Sequence, residues 1–213
     1  MKNIQLNLDI SVKYQSDVCI VGAGPGGIAA AVAAARSGAK VLLFDAHTMP
    51  GGMSTAGRVP VFMNVDDGIN FLAGGNFGRT ILDALGSQAI HAERLKFIYE
   101  EQLSKANVDF FYMSRLIAVG INEGEIRQAI FSSPGGLFAV ESKVFIDGTG
   151  DGTLAFLSGA AFTISEECMP ATLCSLWTGV DFERYQKGVA FSHNDEIMLD
   201  KLEEAFRNGM LSS

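Results

Sequence analysis

Residues 17–46 read DVCIVGAGPGGIAAAVAAARSGAKVLLFDA, and this order of residue types leaves little choice of local fold. Val18, Ile20 and Val21 form a short apolar run that stops at glycine, as a buried parallel strand does. Gly22, Gly24 and Gly27 then supply the spacing GxGxxG. Gly22 permits a tight strand-to-helix turn, Gly24 lets a pyrophosphate approach the backbone, and Gly27 lets the helix lie close to the sheet. A helix is expected to begin near Pro25, with its free N–H groups and positive dipole end facing the phosphates. Ala23, Pro25 and Gly26 complete that loop. Ala31 is small where helix meets strand, and Gly38 ends the helix. A second strand, AKVLLFD, closes on Asp45, 23 residues after Gly22. A carboxylate there can accept hydrogen bonds from both ribose hydroxyls of an adenosine.

The residues beyond Asp45 separate two kinds of dinucleotide. Ala46 comes first, then Gly51-Gly52 and Met53-Ser54-Thr55-Ala56-Gly57. A glycine pair gives a loop without side chains that can run beside a longer cofactor. Ser54 and Thr55 offer hydroxyls to pyrophosphate or ribityl oxygens. A nicotinamide site needs no such loop, so the reading favours FAD.

On these residues the chain resembles the two-dinucleotide-domain flavoproteins. Within them it resembles the bacterial FAD-dependent oxidoreductases, which are related to the flavin subunit of heterodisulfide reductases and, more distantly, to fumarate reductase flavoproteins. The glycine pair, Met, Ser, Thr and Ala-Gly of residues 51–57 match that family's pattern. A second match is VFIDGTGDGTLAFLSGA, residues 144–160, with Gly148 standing where the family usually has Ala. The resemblance implies that this strand runs beside the first and that Thr149, Gly150 and Asp151 lie near the adenosine end of FAD. It also implies a backbone contact to adenine after the third strand, for which Leu116 is the candidate.

The intervening chain suits the same plan. Residues 92–107 have Leu95, Ile98, Tyr99 and Leu103 at helical spacing. Residues 108–113 read as a third parallel strand. Residues 115–145 read as a β-meander, with turns at Asn122-Glu123-Gly124 and Pro134-Gly135-Gly136. The expected fold is therefore α/β: a Rossmann-like FAD-binding parallel sheet with a β-meander crossover, plus the start of a second, substrate domain. The boundaries expected are a lead segment at 1–16, the FAD-binding domain at 17–160, and an incomplete substrate domain at 161–213. Residues 170–182 are expected to hold that domain's first strand, and residues 195–210 an amphipathic helix.

Composition narrows the partners. The chain is 48% hydrophobic with a net charge of -8, and its sixteen basic residues never adjoin one another. Nucleic acids and anionic membranes both need clustered Lys and Arg, so neither is expected. Three cysteines, Cys19, Cys168 and Cys174, form no CxxC, which disfavours a disulfide framework or a metal centre. The resemblance implies that a disulfide reductase would carry a redox cysteine pair directly after Gly51-Gly52; residues 53–57 hold none, so dithiol chemistry is not expected. His47, His91 and His193 read as surface or capping residues. Arg58 and Arg79 are weighed as holders of a substrate carboxylate against a solvent-facing or phosphate-facing role. No catalytic acid or base emerges. The start of the chain lacks an apolar signal segment, and the protein is expected in the cytoplasm.

The resemblance also implies a return segment that completes the flavin end of the site and is not among these residues. A truncated gene product, a fragment, and a subunit completed by another chain remain open, and homo-oligomers or a completing partner are expected. The functions in view are an FAD-dependent oxidoreductase or its N-terminal portion, acting on an unidentified small molecule, and a non-catalytic dinucleotide-binding module. A nicotinamide enzyme is disfavoured by Gly51-Gly52.

Overall fold

The structure, a computed structural model, describes residues 7–62, 75–164, 172–176, 178–181, 183, 203–204 and 207–209. The elements run β1 (Val12–Val21), α1 (Pro25–Arg36), β2 (Val41–Phe44), a 3-10 turn (Gly52–Ser54), α2 (Gly75–Leu85), α3 (Ala92–Lys105), β3 (Asp109–Phe111), β4 (Arg115–Asn122), β5 (Glu125–Ser133), β6 (Gly136–Asp147) and α4 (Thr153–Leu157). The six strands form one sheet in the order β3-β2-β1-β6-β5-β4. β1 is parallel to β2 and β6, and β2 is parallel to β3, while β4, β5 and β6 pair antiparallel as the meander.

Side chains alternate across a strand, so a strand covered on both faces is apolar at every position. The second half of β1 and the whole of β2 are built this way. Val18, Ile20, Val41 and Leu43 enter one core with Ile28, Ala31 and Val32 of α1, Ile81 of α2, and Leu95, Ile98, Tyr99 and Leu103 of α3. Cys19, Val21, Leu42 and Phe44 enter the other core, with Leu116, Ala129, Phe131, Phe138 and Val140 of the meander. The meander thus folds back over the parallel strands, and the Phe44 and Phe131 ring centroids lie 4.4 Å apart. The β4–β5 turn has φ of 52° at Glu123 and 79° at Gly124, as a two-residue primed hairpin requires.

Several boundaries differ from the sequence reading. β1 starts at Val12, inside the expected lead segment. Its first half is polar, and β6 pairs with it along its length, from Val12–Ala139 to Val21–Asp147. β3 is short because the chain turns at Met113, whose φ is 53°. α2 is an addition to the expected elements, although Phe77, Ile81 and Leu85 carry a helical repeat. Of the strand expected at 170–182, residues 172–176 and 178–181 have no strand structure, and the rest lies outside the described residues. Most of the helix expected at 195–210 also lies outside them. The chain divides into two compact units, Met1–Cys174 and Ser175–Ser213. Among the described residues no helix is long and apolar enough to cross a membrane.

Candidate cofactor site

The first glycine turn is set by steric demand. Gly22 has φ of 99°, and a Cβ there would stand 2.5 Å from the carbonyl of Gly148. Its N–H donates to the Phe44 carbonyl at 2.7 Å, joining the end of β1 to the end of β2. A Cβ on Gly27 would overlap the Gly22 carbonyl oxygen, so α1 and the turn touch backbone to backbone. Gly24 is different: within 4 Å its Cβ would meet only the Gly148 carbonyl oxygen, at 3.5 Å. Space is open at this glycine, where a phosphate would need it. Gly24 is the N-cap of α1, Pro25 opens the helix, no side chain caps it, and its first turn holds no acidic residue. Pro25 and Gly26 are exposed. The first-turn N–H groups have no intrahelical partners, and the positive end of the helix is left for an anion.

Two segments grip the Ala23 peptide from opposite sides. Its N–H donates to Asp45 Oδ2 at 2.5 Å. Its carbonyl accepts from the Gly51 N–H at 2.7 Å. Asp45 is buried, and Oδ1 accepts from the His47 N–H at 2.7 Å and the His47 ring Nδ1 at 2.9 Å. The carboxylate is therefore a charged strut between the glycine turn and the end of β2, in the stronger class of hydrogen bonds. The chain leaving β3 lies alongside: Ser114 N–H donates to the Asp45 carbonyl and Met113 N–H to the His47 carbonyl, both at 2.8 Å.

The glycine pair sits against the same turn. Gly51 and Gly52 have φ of 100° and 50°, and a Cβ on Gly52 would stand 3.4 Å from Gly24 Cα. The Ser54 hydroxyl donates to the Gly51 carbonyl at 2.7 Å, and the Thr55 hydroxyl to the Pro50 carbonyl at 2.5 Å. Both side chains are buried. A hydroxyl has one proton to give. In this structure both protons shape the loop rather than face a cofactor. Met53 is exposed beside them.

The second motif abuts the first. Gly148 N–H donates to the Val21 carbonyl at 2.7 Å. A Cβ on Gly148 would stand 2.8 Å from the Gly22 carbonyl oxygen. Glycine here is a requirement of the contact. Thr149 donates its N–H and hydroxyl to Asp147 Oδ1 at 2.9 and 2.7 Å, and its hydroxyl oxygen accepts from the Thr153 N–H. Asp147 Oδ2 accepts from the Ala155 N–H at 3.0 Å. Burial raises the Asp147 pKa, but hydrogen bonds from Ala155, Thr149 and Leu154 outweigh it and hold the carboxyl below its usual range. Thr149 thus builds the start of α4, while Gly150 and Asp151 are exposed at the turn.

Leu116 packs its side chain in the meander core. The residues that flank Asp45 after β3 are Met113 and Ser114. Sequence reasoning missed four contributors: His47, Asp147, Met113 and Ser114. His47 and Asp147 each carry a usable signal. His47 is two residues beyond Asp45, the reach of an Asx turn, and Asp147 is two residues before Thr149. His91 is the N-cap of α3, its ring accepting from the Arg94 N–H. Arg58 has φ of 56°, and its charge helps to lower the pKa of Glu93, which Lys96 lowers most. Cys19 is fully buried, which pushes its thiol up to about 12 and removes it from thiolate chemistry near neutral pH. Cys168 and His193 lie outside the described residues.

The structure of the flavin-dependent brominase Bmp2 superposes with a TM-score of 0.51 at 16% identity, covering 68% of this chain and 40% of that one. THI4 of Thermovibrio ammonificans superposes with a TM-score of 0.49 at 21% identity, covering 69% and 64%. Sarcosine oxidase subunit alpha of Corynebacterium sp. (strain P-1) is 56% identical over 41 residues, 19% of this chain and 4% of that protein. The chain thus spans less than two thirds of each of these proteins. Residues 17–205 match the family model described as FAD dependent oxidoreductase, and the chain belongs to that family.

Proposed function

We propose that this chain is the FAD-binding portion of an oxidoreductase acting on a small molecule. The observation that carries the reading is the convergence on Ala23: the uncapped end of α1 beside it, Asp45 on its N–H and Gly51 on its carbonyl. In this reading the pyrophosphate lies along Gly22–Gly27 against the N-terminus of α1, and Gly24 gives it room. Asp45 takes the adenosine ribose. Ala46, Gly51, Gly52, Met53, Ser54 and Thr55 form the wall along which the rest of the cofactor runs. Leu116, Thr149, Gly150 and Asp151 border the adenosine end, with Met113 and Ser114. When bound, FAD supplies hydride or electron transfer, while the protein binds and orients it. Residues 17–160 are assigned to FAD and 161–213 to the start of a substrate domain, in a cytoplasmic protein. Leu173 and Leu176 are strongly exposed. Apolar surface of this kind supports association with a second copy or a completing chain.

Titration calorimetry with ADP tests the adenosine half. Saturable binding that Gly24→Val removes supports the reading, and no binding by the wild type rejects it. Gel filtration with detection at about 450 nm then reports whether the chain retains flavin. Retention of the flavin signal by a stable monomer would show that these residues suffice. Loss of it, with ADP binding intact, would favour the completing chain.

A further inference from the structure

The His47 ring stands on an acceptor position that a ribose would use. A carboxylate offers about four lone-pair positions. On Asp45, Ala23 N–H takes one of Oδ2, and on Oδ1 the His47 N–H takes one and the ring Nδ1 another. Too few positions remain for two ribose hydroxyls to be accepted freely. Nδ1 faces a group that only accepts, so it carries a proton there, whether the ring is neutral or charged.

The three donors are not equivalent. The Ala23 N–H is fixed by the glycine turn, and the His47 N–H closes an Asx turn with the carboxylate two residues before it. Neither can leave without rebuilding the backbone. The ring belongs to a side chain that is 65% exposed. Rotation about its own side-chain bonds carries it into water, where its N–H finds another partner. Among the described residues it is the one exchangeable donor on this carboxylate.

We propose that His47 is a stand-in for a ribose hydroxyl. It satisfies the Asp45 charge before a nucleotide arrives, and it yields its position to the adenosine ribose on binding. One N–H···O contact is exchanged for one O–H···O contact, so His47 opposes nucleotide binding by the worth of its own hydrogen bond. The proposal rests on the reading of Asp45 as the ribose acceptor.

The test is calorimetric titration of the full chain with ADP and with 2′,3′-dideoxy-ADP, which has no ribose hydroxyl to exchange. His47→Ala removes the ring, and His47→Phe keeps its bulk without a donor. Both variants should bind ADP about two- to tenfold more tightly than wild type, with dideoxy-ADP affinity unchanged. Weaker ADP binding, or an equal change for both nucleotides, would overturn the proposal. Tightening in His47→Ala alone would trace the effect to bulk and overturn it as well. A wild type that binds no ADP rejects the nucleotide site itself. One that binds ADP and dideoxy-ADP equally rejects Asp45 as the ribose acceptor while leaving the phosphate site standing.

Discussion

A Cβ on Gly148 would stand 2.7 Å from the Cα of Gly27. Gly27 lies in the first turn of α1 and Gly148 just after β6, 121 residues apart in sequence, yet their backbones touch with nothing between them. Gly148→Ala should therefore push the end of β6 away from α1. Overpacking of a tight contact costs about 1–3 kcal/mol. Urea denaturation measures this, and a midpoint equal to wild type would mean that the turn gives way without strain.

Gly24→Val tests space rather than packing. Its Cβ would meet only one protein atom within 4 Å, so the fold should tolerate the change. The valine instead fills the approach of the pyrophosphate. ADP binding should disappear while the far-ultraviolet circular dichroism stays that of wild type. Normal binding by this variant would remove the phosphate loop from the site.

Asp45→Ala should do two kinds of damage. The Ala23 N–H is left buried without its acceptor, a loss of about 1–3 kcal/mol in stability. ADP affinity should fall about ten- to a hundredfold, the worth of a hydrogen bond to a charged group. Thermal unfolding and calorimetry read the two separately. A loss of stability with unchanged ADP affinity would reduce Asp45 to a strut.

Asp147 makes stability depend on pH in the acid range. Its folded pKa lies below the ordinary 3.8, so the folded state holds its proton less tightly than the unfolded state does. The stabilisation is present above the ordinary value and is lost as pH falls through the folded value. Urea midpoints taken from about pH 5 down to about pH 2 should fall less steeply in Asp147→Asn than in wild type. Parallel curves would show that Asp147 contributes no linkage.

The parts of the fold legible in sequence are those governed by local spacing. The run Val18–Val21, the three glycines, the small residues of α1 and Asp45 each state their own neighbours. The Glu123-Gly124 turn is similarly local. The first half of β1 is hidden because Gln15 and Ser16 find their partners, Glu141 and Ser142, only through the register with β6. Ser54 and Thr55 are legible as loop hydroxyls, but which oxygen each hydroxyl proton meets depends on how the loop curls. The constraint on Gly148 is not legible, since it comes from α1, far away in the chain.

The pairing of β1 with β6 also sets an order of events during synthesis. Ser16 and Ser142 face each other across 126 residues of chain. At about 5–20 residues per second, a ribosome spends roughly 6–25 seconds between making one and making the other. Throughout that interval the nascent β1 can take β2 as a neighbour but has no β6 on its other edge. The apolar second half of β1, with one edge open, is a template for unwanted pairing. The chain must shelter that edge until β6 is made, so the segment that begins the cofactor site is among the last to be secured.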